Sequence, residues 1–126
     1  MKADLLGAVC AMDAARARGD TRAYLAADTA YHRCFFRHCG NRYMADTYAL
    51  VAGKIAALRT HLAAKPQHTE KSYSEHREML RLLEAGELIR ALLVLDTHIG
   101  RTKTTYAAEI EDIAAADQVP VSAIQT

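Results

Sequence analysis

Four side chains of the kind that ligate metals sit on apolar helical stripes in this chain, and no other feature constrains its fold as strongly. Leu25, Asp28, His32, Phe35, Phe36 and Cys39 recur at spacings of three and four, so they share one face of a helix. Asp28 and His32 then project one turn apart from that face. Tyr73, His76, Leu80 and Leu83 repeat the pattern, and Leu88, Leu92, Leu95, His98 and Thr102 repeat it once more. A neutral imidazole or a carboxylate buried without a partner is strongly destabilising. A shared divalent metal removes most of that cost, provided the second ring nitrogen of each histidine finds an outer acceptor. The plainer alternative is four separate core or surface residues with local hydrogen bonds, and their common inward phase weighs against it.

The remainder of the chain agrees with a single helical domain. Its 126 residues are enough for one core, and 25% charged with 51% apolar residues is ordinary for a globule. Trp is absent, there are only two prolines and alanine is frequent, which favours helix over sheet. A net charge of +1 carries no electrostatic footprint for nucleic acid. No apolar run approaches the length of a membrane span and the N-terminus lacks a signal-peptide core, so a cytoplasmic chain is expected. Cys10, Cys34 and Cys39 are an odd set without C-x-x-C spacing, and we read all three as small buried apolar residues.

Five helices are predicted. The first covers about residues 4–18 with Leu5, Val9 and Met12 inward, and Gly19 provides its left-handed stop. Asp20 or Thr21 caps the second, which continues to about Cys39. After Gly40 and Asn41 the third carries Met44, Tyr48, Val51, Ile55, Leu58 and Leu62, and ends near Ala64 ahead of Pro66. Residues 65–69 are expected as a polar loop, residues 70–85 as the fourth helix, and residues 87–117 as a long fifth after Gly86. The domain is therefore placed at 1–117, with 118–126 as a flexible tail. Short connections imply an up-and-down antiparallel bundle.

Outside the four ligand candidates, the spacing puts His38 off the ligand face, while His61 and His68 are expected in solvent. Arg59 borders the stripe of Ile55, Leu58 and Leu62 and is the first candidate for gripping a bound carboxylate; Arg101, one turn from His98, is the second. Tyr24, Tyr31, Ser72, Tyr73 and Thr102 are possible hydrogen-bond donors nearby.

The run from Asp28 through His32 to Gly40 and Asn41 resembles the D-x-x-x-H…G-N signature of the FadR-type C-terminal effector-binding domain, FCD, of GntR-family transcription regulators. Glu75-His76, Met79-Leu80 and Ala85-Gly86-Glu87 resemble that family's E-H-x-x-[IL]-L…A-x-x-G-[DE] segment, and His98 stands where its last metal histidine falls. The resemblance covers roughly residues 5–115. It implies an all-α antiparallel bundle in which Asp28, His32, His76 and His98 hold a divalent transition metal, with open positions for water or a small organic acid. Zinc leads on the donor set, and nickel, iron, cobalt and manganese also suit it.

Family domains begin with a further helix or two, and this chain is expected to enter after them, without a winged helix-turn-helix domain ahead. We accordingly expect a sensing domain that forms a homodimer through the face so left open, with no DNA binding by this chain alone. A metalloenzyme with a water-activating ion, or a bundle stapled by a structural metal, are the competing classes. Glu75 and Glu78 are the acids nearest a ligand, and the helical phase turns both at least partly away from His76.

Overall fold

Asp20 and Asn41 determine where two helices begin. The Asp20 carboxylate accepts the amide of Ala23 at 2.9 Å, and the Asn41 side-chain oxygen accepts those of Tyr43 and Met44 at 3.0 and 3.3 Å. Each satisfies amides that a first helical turn leaves without partners. A computed structural model describes residues 1–63 and 65–117, and places five helices there: α1 Lys2–Ala17, α2 Thr21–His38, α3 Arg42–Leu62, α4 Pro66–Glu84 and α5 Leu88–Asp117. Gly19 and Gly86 take positive φ values of 65° and 75°, which a side chain resists. The amides that follow them, of Asp20 and Glu87, reach back to the carbonyls of Ala15 and Leu82 at 2.9 and 2.8 Å. Those bonds close α1 and α4 and turn the chain within three residues.

The expected polar loop at 65–69 is in fact mostly the first turn of α4. Pro66 occupies the first helical position, where its missing amide costs nothing and its fixed φ suits the helix. Lys65 caps the turn from outside and pairs with Glu109 of α5. The predicted ending of α3 at Ala64, like the predicted tail at 118–126, falls outside the described residues.

The helices form an all-α antiparallel bundle. α1 packs against α2 and α4, α5 packs against α4, and α3 packs against α2. Leu5, Val9, Met12 and Ala15 of α1 meet Tyr24, Ala27, Tyr31 and Cys34 of α2 and Tyr73, Met79 and Leu80 of α4 in one core. Tyr31 is fully buried; its hydroxyl donates to the His76 carbonyl at 3.0 Å and its ring stacks on the His76 ring with centroids 4.2 Å apart. The bond satisfies a buried phenol and holds α2 and α4 in register.

Several apolar residues placed inward from the sequence are outside. Leu88 and Leu92 of α5 and Met44 and Val51 of α3 are exposed. α5 turns Ala91, Val94, Leu95 and His98 to the bundle instead, because its apolar surface is wider than the face with which it packs, chiefly on α4. α3 meets α2 chiefly through the stacked rings of Tyr48 and Phe36, 3.9 Å between centroids. Cys10 and Cys39 are also exposed, and only Cys34 behaves as the small core residue expected of all three.

Leu5 and Leu50 provide a contrast that tests this packing. Leu5→Ala, at a fully buried site, should cost about 2–5 kcal/mol in denaturant unfolding, whereas Leu50→Ala, at 82% exposure, should change stability by less than about 0.5 kcal/mol. Equal effects would contradict the assigned core.

Candidate metal centre

His32 on α2, His76 on α4 and His98 on α5 converge, with one ring nitrogen of each within 4.8 Å of the others. Ring centroids are 4.9 Å apart for His32 and His76, 4.8 Å for His76 and His98, and 5.5 Å for His32 and His98. Asp28 joins from one turn before His32: its Oδ1 lies 3.5 Å from His76 Nδ1 and 3.8 Å from His32 Nε2. Ligands around an ion with bonds of about 2.1 Å stand roughly 3.0–3.4 Å from one another. The imidazole nitrogens must close by up to about 1.8 Å to reach that spacing, and Asp28 stands near His32 and His76 without lying within 4.8 Å of all three.

The donor set fits a cation. His76 is completely buried, and neither of its ring nitrogens has a hydrogen-bond partner. Buried polar atoms rarely lack partners in native folds. Burial pushes His32 and His76 well below the usual imidazole range, and neighbouring cationic groups, Arg59 among them, push the same way. Burial also depresses His98, against the opposing effect of the hydrogen bond it donates to Glu75. All three are thereby kept in the neutral form that ligates metals. Asp28 is raised to about 6 by burial, with Arg59 opposing the rise.

Glu75 bonds across to α5 rather than to its neighbour His76. It is buried, and its Oε2 accepts from His98 Nδ1 at 2.7 Å. Burial alone would raise its carboxyl, but hydrogen bonds from Arg101 and His98 outweigh that and hold it below the usual glutamate value. An ionised carboxylate can only accept, so Nδ1 of His98 carries the proton and Nε2 keeps its lone pair. Arg101 grips Glu75 with two bonds, Nε to Oε1 at 3.0 Å and Nη2 to Oε2 at 2.6 Å, and also contacts Ser72 and His68. The signal for this network lies in Ser72, Glu75, Met79 and Leu82, a second 3/4 row on α4 that is buried beside the row of His76. α4 buries both rows because it lies between α1 and α5.

A cavity of about 710 Å³ adjoins the centre, walled by α2, α3, the start of α4 and α5. Phe35, Phe36, Ile55, Leu58, Leu62 and Ile99 supply apolar wall, while Asp28, His32 and His98 stand at its polar end. Arg59 reaches in from α3 with its side chain only 11% exposed, and its Nε lies 3.3 Å from Asp28 Oδ2. Its Nη1 is buried without a partner, as is the Thr102 hydroxyl on the cavity wall. Burial holds the Tyr106 phenol protonated beside Arg59, so it too can donate. The start of α4 brings His68 to this wall, half-buried rather than solvated as expected. His38 and His61 are exposed, as the spacing of the first and the helix-end position of the second implied. Of the remaining hydroxyls, Tyr24 bonds weakly to the Thr69 carbonyl at 3.5 Å, and Tyr73 lies under Arg16.

The buried imidazoles make the metal-free fold sensitive to acid. Their folded-state values lie below the ordinary 6.5, so below that pH the unfolded chain binds protons that the folded chain does not. Stability is therefore lost as pH falls through that value. Asp28 works the other way, because its folded carboxyl is protonated near 6 and the unfolded one only near 3.8. Three imidazoles outweigh one carboxyl. The melting temperature in chelator should fall between about pH 7.5 and about pH 5.5; a constant or rising value by circular dichroism would contradict the assigned burial.

The FCD domain family model matches residues 2–101 of the chain. No curated protein and no solved structure matches it. Among the described residues no helix is long and apolar enough to cross a membrane. FCD domains are the effector-binding domains of GntR-type transcription regulators, and a match over most of the 126 residues, with the helical bundle described above, shows that this chain belongs to the FCD family.

Proposed function

We propose that the chain is a metal-dependent sensing domain in which Asp28, His32, His76 and His98 hold a divalent ion and the adjoining cavity admits a small organic acid. The observation that carries this reading is His76, fully buried with both ring nitrogens unpartnered amid two further imidazoles and a carboxylate. The ion would supply positive charge and open positions for the oxygens of the acid. Three nitrogens and one carboxylate favour zinc, and also accommodate nickel, iron, cobalt or manganese.

The chain's own residues then divide the work. Arg59 offers an unpartnered guanidinium nitrogen at the cavity's polar end, suited to a second oxygen of the acid. Arg101 acts one layer back: it fixes Glu75, which fixes the tautomer and tilt of His98. The apolar wall favours an acid with a short hydrocarbon part and excludes water from the charged contact.

Glu75 also argues against the enzyme alternative. A water-activating centre needs a free general base, and the carboxylate nearest the ligands is already held by two donors from Arg101 and one from His98. A purely structural metal would not call for a cavity of this size beside it. DNA contact is assigned to none of these helices, and the net charge of +1 agrees. Leu88, Ile89, Leu92 and Leu93 form an exposed apolar strip at the start of α5. We assign it to a twofold contact with a second copy.

His76→Ala should lose one equivalent of bound metal per chain by elemental analysis, and an unchanged metal content would refute the ligand set. Calorimetry of metal-loaded protein against a panel of small organic acids should find a binder. Arg59→Ala, at unchanged metal content, should weaken that acid about 10–100-fold, the equivalent of one charge-assisted hydrogen bond. Equal affinity would remove Arg59 from the site. Light scattering should give the mass of a dimer, and a monomer at high concentration would refute the assembly.

A further inference from the structure

A second group of ligand-type side chains lies where α1 begins and α2 ends, apart from the histidine centre. Asp4 comes from the first turn of α1, while Cys34 and His38 stand one turn apart on α2. Their ligand atoms all lie within 4.8 Å of one another, and His38 Nε2 is already 2.8 Å from Asp4 Oδ2. Cys34 is buried, with its sulfur 3.5 Å from the Met1 carbonyl oxygen, whereas Asp4 and His38 are open to solvent. One side of the group is thus held by the core and the other can admit an ion.

We propose that Asp4, Cys34 and His38 form a second metal site, for a thiophilic divalent ion of which zinc is the fitting case. Zinc bonds of about 2.3 Å to sulfur and about 2.0–2.1 Å to nitrogen or oxygen set ligand spacings of roughly 3.3–3.6 Å. Asp4 and His38 must part slightly, and Cys34 must close by at most about 1.5 Å, within reach of a side-chain rotation. The thiol gives up its proton to solvent as the sulfur–metal bond forms. Thiolate and carboxylate then balance the two charges of the ion, the neutral imidazole completes three ligands, and water takes the fourth position. The C-terminus of α2 adds partial negative charge beside His38. Arg37, whose Nη1 lies 4.0 Å from Asp4, is 73% exposed and free to swing away. The site differs from the histidine centre in its sulfur ligand, which gives it a separate spectroscopic signature.

Cobalt(II) titration of the full chain tests this, in a background carrying Cys10→Ser and Cys39→Ser. Two equivalents should bind per chain, one of them with a thiolate-to-cobalt charge-transfer band in the near ultraviolet. Cys34→Ser should lose the band and one equivalent. His76→Ala should lose the other equivalent and keep the band. His38→Ala alters an exposed residue, so the fold is not at risk, and should weaken the band-forming equivalent at least about tenfold, a loss that even outer-shell changes cause. Absence of the band at saturating cobalt, its persistence in Cys34→Ser, or unchanged affinity in His38→Ala would each overturn the site.

Discussion

Burial of ionisable groups without local partners is the condition on which the rest of this structure depends. His76 is enclosed by the same core that stabilises the bundle: the Tyr31 ring stacks on it, and the Tyr31 hydroxyl takes its backbone carbonyl. The hydrophobic contacts of α1 with α2 and α4 therefore also fix the position of an imidazole whose nitrogens have nothing to bond. Desolvation lowers the affinity of His32, His76 and His98 for protons and raises that of Asp28. Each shift opposes charge on the group concerned, and together they leave a pocket with lone pairs and little charge of its own.

α5 resolves part of this tension through pairs that α4 supplies. His98 is held by Glu75, Glu75 by Arg101, and Arg101 returns to α4 through Ser72 and His68. A carboxylate facing a single imidazole would be costly to bury, but the bidentate guanidinium keeps it ionised and oriented. The network spans two helical turns of α4 and one of α5, and fixes both the spacing of the two helices and the tautomer of His98. A cut at Arg101 would leave Glu75 as an uncompensated buried charge, so the orienting role and the structural role of these residues are not separable by deletion alone.

Much of this was legible in the chain. The 3/4 spacing of Asp28, His32 and the surrounding aromatics, with Gly19, Asp20 and Gly86 as punctuation, fixes α2, the turns and the inward side of the candidate ligands, because one face of an amphipathic helix is a strong periodic signal. The bonding role of Glu75 was not legible because phase was measured from His76 alone, and α4 buries two rows rather than one. Pro66 was read as a stop although proline is equally at home at a first helical position, and that error carried His68 into solvent. Leu88 and Leu92 show the converse limit. Periodicity marks a face as apolar, but which apolar faces find a neighbour is decided by how many helices pack there.

The placement of the polar groups around the cavity bears on how an acid could act at a distance. Arg59 belongs to α3, which among the described residues packs mainly on α2, whereas the candidate ligands belong to α2, α4 and α5. An acid held by an ion at one end and by Arg59 at the other would add a charged contact between α3 and the ligand-bearing helices to the one Arg59 already makes with Asp28. Asp28 currently takes part of the Arg59 charge at 3.3 Å, so an acid that accepts from Arg59 competes with Asp28 for it. The same competition changes how much negative charge Asp28 can offer an ion. Metal and acid affinity are then linked through one carboxylate and one guanidinium, and by linkage each must alter the other by the same factor. On the proposed reading, an effector would act on the fold only so far as it binds one arrangement of α3 better than another.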